Sequence, residues 1–435
     1  MGLCSNIYAE QHAFSEPTLA EKSMEDHAQS IYQVRIVNKG SNSQNSLGTG
    51  FVIDDGNLLA TNYHVVSSAV LKPTENYAVI EVDGQEQELE ILRLDVIHDL
   101  AILKLPTKGT PIPLSRETPV KGARLYSIGN PLDIGMTIVE GNYNGLVESR
   151  FFDQIHFSGA INSGMSGGPT LNQYGEVVGI NVASAGNQVG FLVPVSKLIT
   201  LLESEHNERK DSQHPVDLSS DQEIKAINTE KVPLTTLQAS IGQQIQSATH
   251  SMIERLLEEP WPQESLGSAL VAGKAHSAID CWGKSDTNNK THLTRIEKGC
   301  NSRDGMFISH HLRSGYIEYE FWYIEADDWP ASAFYRYAAQ AFSHAGPGNR
   351  AGGQDVDNFS CIDQVVIREH DKFKRKLSYC TRPYTLFPEL FDTFYIGSSL
   401  DKNDRVIMEH FTLSGVNKAD SERFLENFMQ QVGWQ

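Results

Sequence analysis

The chain has 435 residues, enough for two to four domains and more than one sizeable core. Apolar residues make up 40% and charged residues 21%, which excludes a disordered or fibrous chain. Lysine and arginine total 36 against 55 aspartates and glutamates, a net charge of −19, so neither a nucleic acid nor an anionic membrane surface is an expected partner. No apolar run approaches the roughly 18 residues of a spanning helix.

Residues 1–29 read as an N-terminal arm. Its opening, MGLCSNIYAEQ, carries an Ile-Tyr-Ala stretch that resembles a signal-peptidase site with a cut after Ala9. The basic start and apolar stretch of a signal peptide are missing, so the expectation is a remnant of a longer signal sequence and a periplasmic or secreted protein.

Residues 30–205 read as about twelve short strands without long helices. Six lie between Ile31 and Leu105 and six between Arg124 and Val193. The hairpin signals Asp54–Asn57 and Asp83-Gly84 fall between them, and the spacing predicts a barrel or sandwich pair. Pro194-Val195-Ser196 then opens a helical pattern. Residues 206–259 form a linker that is polar and breaker-rich to 234. An amphipathic helix follows on Leu237, Ile241, Ile245, Ile253, Leu256 and Leu257, stopped by Pro260 and Pro262.

The composition changes after that. All five tryptophans and four of the five cysteines lie in 260–435, which reads as a separate α+β domain. Cys281, Cys300, Cys361 and Cys380 form two pairs 19 positions apart, with no C-x-x-C, so a zinc site is not expected. Two disulfides are expected, with Cys281–Cys300 and Cys361–Cys380 favoured among three pairings, against the alternative of four buried free thiols. Each bridge would contribute about 3 kcal/mol and place the protein in an oxidising compartment. Among weaker candidates, His310-His311 are taken as strand neighbours facing opposite ways, Asp327–Pro330 as a turn, and Gly346–Gly353 as a loop without the lysine of a phosphate site. The aromatic residues of Tyr316–Tyr323 read as a core face. No cofactor or metal site is expected.

Three segments carry chemistry: Thr61–Val66 around His64, His98–Leu105 beginning with His98-Asp99, and Gly164–Pro169 around Ser166. Each alone is ordinary. Together, in the order His, Asp, Ser within a strand-rich domain, they describe a nucleophilic apparatus. A serine hydroxyl needs a histidine to take its proton, and a buried carboxylate must fix that histidine's tautomer. The glycines would let the N–H groups of Gly164 and Ser166 converge on a developing oxyanion.

These segments resemble the trypsin-like serine proteases of the HtrA/Deg family, with patterns TN-x-HV, D-[IL]-A-[LV]-[LIV]-[KR] and GNSGGP. Gly129-Asn130-Pro131, Ala160-Ile161-Asn162, Val178–Asn181 and Gly190-Phe191 follow in family order. The resemblance covers about 30–205. It implies an all-β double β-barrel, here followed by a helical linker and a separate α+β domain. Residue by residue it implies Ser166 as nucleophile, His64 as general acid/base, Asp99 as its orienter, and Gly164 and Ser166 as oxyanion donors. It implies Ala160 at the base of the P1 pocket and Val182, Ala183 and Ser184 as the wall pairing with substrate. With no carboxylate among them, a small or aliphatic P1 residue is expected. Protein or peptide substrates are the implied partners, with a homo-oligomer or a regulatory partner on the C-terminal domain as further partnerships.

Three departures stand out. Met165 replaces the usual Asn before the nucleophile, which excludes activation through an ion pair with a new N-terminus and leaves open how the oxyanion loop is held. PDZ domains are not recognisable; Ser265–Leu270 is only faintly like a carboxylate-binding loop. The N-terminal arm is short for the family's trimer. The leading expectation is a serine endopeptidase; the alternatives are a catalytically silent binding or chaperone-like protein, and a protease autoinhibited by its C-terminal domain.

Overall fold

The computed structural model describes residues 17–184, 186, 188–208 and 233–435. At 183–184 and 204–208 only the backbone is considered. Cys4, the expected cut after Ala9 and the polar part of the expected linker lie outside the described residues.

Twelve strands close two antiparallel barrels. The first uses Ile31–Asn38, Gln44–Ile53, Leu58–Thr61, Asn76–Val82, Gln85–Asp95 and Leu100–Lys104. The second uses Arg124–Gly129, Thr137–Leu146, Ile155–Phe157, Pro169–Leu171, Val177–Ser184 and Gly190–Pro194. Both follow one pairing order, first, second, third, sixth, fifth, fourth, and closure leaves neither with an edge. The Asp83-Gly84 hairpin shows the local cause: both residues have positive φ, +50° and +75°, as a turn matched to strand twist requires.

Six helices complete the described chain: α1 (Leu19–His27), α2 (Tyr63–Leu71), α3 (Val195–Glu208), α4 (Leu234–Leu257), α5 (Ala331–Ser343) and α6 (Lys418–Gln430). α2, which carries His64, is a short helix that the reading of 30–205 as short strands did not contain. Its first turn is capped not by a nearby side chain but by Asp99, 35 residues on, whose carboxylate accepts from His64 N–H at 2.8 Å.

The C-terminal region is built on a seven-stranded antiparallel sheet. In spatial order its strands are Ile279–Asn288, Leu293–Ser302, Ile317–Ala326, Arg405–Val416, Phe391–Ser399, Lys374–Pro383 and Ser360–Ile367. Strand alternation sorts its two faces. Tyr319, Phe321, Phe411 and Leu413 pack under α4 and α6, whereas Ile324, Val406 and Met408 pack against α5. The expected core role of the Tyr316–Tyr323 aromatics holds for Tyr319, Phe321 and Tyr323. The bridges Cys281–Cys300 and Cys361–Cys380 join the outermost strand on each side of the sheet to its neighbour.

The two halves share a core. Leu237, Ile241 and Ile245 of α4 cluster with Tyr63, Val66 and Val70 of α2, and with Met306, Ile308 and Leu312 of a small hairpin of Met306–Ser309 and Leu312–Ser314. Polar contacts reinforce the seam: the Gln244 side chain donates to Leu94 O at 2.9 Å and accepts from Val96 N–H at 2.9 Å. α4 is therefore a packed element between barrel and sheet. His310 and His311 form the turn of the small hairpin, which corrects their reading as strand neighbours.

Candidate active site

The site is assembled from elements far apart in sequence, carrying His64, Asp99 and Ser166. Asp99 takes a left-handed conformation, φ +57°, which aspartate adopts more readily than most residues. In that pose its carbonyl accepts from the Tyr63 N–H at 3.2 Å and the Asn62 amide at 2.7 Å. Its carboxylate spans His64, one oxygen on the backbone N–H and the other 2.6 Å from Nδ1. A carboxylate on Nδ1 leaves Nε2 as the nitrogen able to take a proton. Both side chains are only partly exposed.

Ser166 lies in the loop before the strand Pro169–Leu171, and Thr49 of the first barrel ties that loop down. Thr49 N–H donates to Ser166 O at 2.8 Å, and its hydroxyl donates to Gly164 O at 2.7 Å while accepting from Asn130 N–H at 3.2 Å. Gly164 (φ +95°) and Gly167 (φ +85°) need glycine twice over, since a Cβ would fall 2.2 Å from Asn130 O and from Thr49 O respectively. The N–H groups of Gly164 and Ser166 donate to no acceptor among the described residues.

Met165 does not loosen this loop. Its side chain is fully buried in the second barrel with Leu125, Tyr143, Phe157, Ile161 and Leu192. Its carbonyl accepts from Gly168 N–H at 3.0 Å and from the Asn181 amide at 3.2 Å. Asn181 is itself saturated, accepting from Ser127 and Thr170 at 2.7 Å each and donating to Ile128 O at 3.1 Å. Apolar packing and an amide from a neighbouring strand hold the loop at Met165.

The structure thus brings His64 and Asp99 together, whereas Ser166 Oγ donates to Val182 O at 3.2 Å. No hydrogen bond joins it to His64 among the described residues. Such bonds are often loose before substrate arrives. Ala160 is half-buried beside the second barrel's core residue Ile161. Val182 lines the cleft, and the backbones of Ala183 and Ser184 pair with Phe191 and Gly190. The side chains of Ala183 and Ser184 lie outside the described residues.

Two contacts come from the C-terminal half. Phe307 of the small hairpin meets the His64 ring edge-on at 5.8 Å, and the buried Tyr63 hydroxyl donates to Ile308 O at 3.1 Å. Burial and the nearby Asp99 charge hold the Tyr63 phenol well above its ordinary pKa, so it stays a donor. Sequence reasoning missed Thr49, Tyr63 and Phe307; only Thr49, set between Gly48 and Gly50, offered a signal. Elsewhere, His250, Glu254 and Asp420 approach as metal ligands would, but His250 pairs with Asp420 and Arg423 already bridges Glu254 and Asp420. A cation fills that group from within the chain.

Residues 48–180, which take in strands of both barrels, match the model of the trypsin-like peptidase domain. The N-terminal part of this chain is a trypsin-like peptidase domain homologous to the HtrA and DegP serine proteases. The protein of Rhizobium meliloti (strain 1021) named probable periplasmic serine endoprotease DegP-like is 35% identical over 161 residues, 34% of this chain and 31% of its own. Serine protease HTRA1 of Xenopus tropicalis is 30% identical over 179 residues, 38% and 37% of the two chains. The crystal structure of the serine endoprotease from Yersinia pestis aligns with a TM-score of 0.38 at 27% identity, covering 44% of this chain and 67% of that one. The chain spans about a third of the length of these two curated relatives. No helix among the described residues is long and apolar enough to cross a membrane.

Proposed function

We propose that this chain is a serine endopeptidase. Ser166 Oγ adds to the scissile carbonyl while His64 Nε2 takes its proton, and His64 then protonates the leaving amine. Water admitted through the same base releases the acyl group. Asp99 holds the imidazole, and the N–H groups of Gly164 and Ser166 receive the oxyanion. The observation that carries this reading is the Asp99 carboxylate engaging His64 twice, at 2.6 and 2.8 Å, beside unused N–H groups at Gly164 and Ser166. Labelling with a fluorophosphonate probe tests it: modification of Ser166 is expected, lost in Ser166→Ala and strongly slowed in His64→Ala. Persistent silence of the intact chain overturns it.

The substrates are polypeptides with a small or aliphatic P1 residue, read from Ala160 and Val182–Ser184. The setting is the periplasm or cell exterior, supported by the two disulfides and by the periplasmic name of the Rhizobium relative. One observation favours a second reading, a protease restrained by its own C-terminal half: Phe307 leans on His64 while Ser166 turns to Val182 O. In that case Phe307→Ala raises probe labelling several-fold; an unchanged or lower rate rejects restraint.

A further inference from the structure

The cleft beside His64 is not made by the protease-like domain alone. A cavity of about 1020 Å³ runs from His64, Ile97 and Val182 to the C-terminal hairpin and the loop Gly348–Gly352. That is at or above the ~300–1,000 Å³ of a small-molecule site, and it suits several residues of extended polypeptide.

Its charges are unevenly matched. Among the carboxylates, Asp99 serves His64 and Asp153 pairs with Lys197 at 2.9 Å. Asp304 accepts from Phe151 N–H at 2.7 Å with Arg150 at 3.9 Å. Among the cations, Arg303 pairs with Asp280, and Arg150 lies over Phe191 as well as near Asp304. Arg313 and Arg350 remain. Both are exposed, both line the cleft, and among the described residues neither pairs with a carboxylate.

Their placement is specific. Leu312 and Ala351 form an antiparallel bridge, and Gly352 N–H donates to His311 O at 2.9 Å, so the loop lies along the hairpin. Arg313 follows Leu312 and Arg350 precedes Ala351, so the bridge brings the two arginine positions to the same stretch of the cleft wall. The Arg313 guanidinium also covers the Phe307 ring at 5.6 Å, the ring that meets His64. In a chain of net charge −19, the uncompensated charges of this cleft are both positive.

We propose that Arg313 and Arg350 make the C-terminal half a substrate-selecting wall, which takes polypeptides carrying aspartate or glutamate within a few residues of the bond to be cut. The inference rests on the reading of this cleft as a substrate site. The arginines act by binding and leave the chemistry at Ser166 untouched.

The test measures binding to the full-length Ser166→Ala chain by fluorescence anisotropy. The probes are fluorescein-labelled decapeptide amides of alanine and valine with a glutamate pair stepped along the chain, and their glutamine counterparts. At about 50 mM salt the best glutamate peptide is expected to bind about tenfold tighter than its counterpart. The gap should close to under about twofold in Arg313→Gln/Arg350→Gln and in about 0.5 M salt, with the glutamine peptide unchanged. Equal affinity for both peptides, or a gap that survives the double substitution, overturns the proposal. Fluorophosphonate labelling of the wild-type chain separates the two readings. Labelling without glutamate preference rejects the selecting wall alone, and glutamate preference without labelling rejects the serine chemistry alone.

Discussion

Asp99 concentrates several demands on one residue. It sits at φ +57°, caps α2 through the His64 N–H, and holds the imidazole through its second oxygen. Asparagine tolerates the same backbone but has only one acceptor oxygen, so it cannot serve both positions. Asp99→Asn is expected to leave the melting temperature within a few degrees and to cut casein hydrolysis by about 10⁴-fold. A loss below about tenfold would remove Asp99 from the reaction. Met165 makes the opposite point. Its side chain packs in an apolar cluster, so an asparagine there buries an amide among hydrocarbon side chains. Met165→Asn should cost about 2–3 kcal/mol in urea unfolding, whereas Met165→Leu should cost under about 1.5 kcal/mol. The pairing of His64 with Asp99 was legible from short motifs. How the loop of Ser166 is held was not, because Thr49 and Asn181 act through backbone contacts made only when the barrels close.

At the scale of elements, strand existence was open to reading because turn residues and alternation are local. All twelve barrel strands announce themselves in this way. α2 does not: its N-terminal cap arrives from Asp99, and a nine-residue apolar helix has the same composition as a buried strand. α4 was visible as a helix through its periodicity, yet nothing in the pattern says that both the barrel and the sheet lie against it. Ile245 packs in the shared core and is fully buried. Ile245→Ala should therefore destabilise the chain by about 2–5 kcal/mol. The loss should appear equally when unfolding is followed by the tryptophans, all beyond residue 260, and by fluorophosphonate labelling of Ser166. A drop seen by one probe only would mean that the halves unfold apart. The outermost strands of the sheet are the weak elements. Ile279–Asn288 and Ser360–Ile367 are mostly exposed, with Trp282 on one and Ile362, Val365 and Ile367 on the other open to solvent. Edges that bury so little side-chain surface depend on other ties.

At the scale of the whole molecule those ties are covalent. Each disulfide joins an edge strand to the strand beside it, so one bridge guards each side of the sheet. Reduction with dithiothreitol should lower stability by about 3 kcal/mol per bridge and reduce the melting temperature by several degrees. An unchanged melt after verified reduction of both bridges would show that the edges hold without them. Cysteine spacing made the favoured pairing readable, but the sheet whose edges it pins was only partly so, since pairing order between Ile279 and Val416 is set by long-range packing.

The core that α2 and α4 share with the small hairpin has a consequence for ancestry. Modular proteins exchange their appended domains by recombination in the connecting segment, because few contacts cross it. Here a crossover between residues 208 and 233 would part Tyr63 and Val66 from Ile241, Ile245 and Ile308, and would strip the helix carrying His64 of its support. The shared core therefore predicts that the C-terminal half does not transfer as a cassette among protease domains. Lineages that keep one half should keep a matched form of the other.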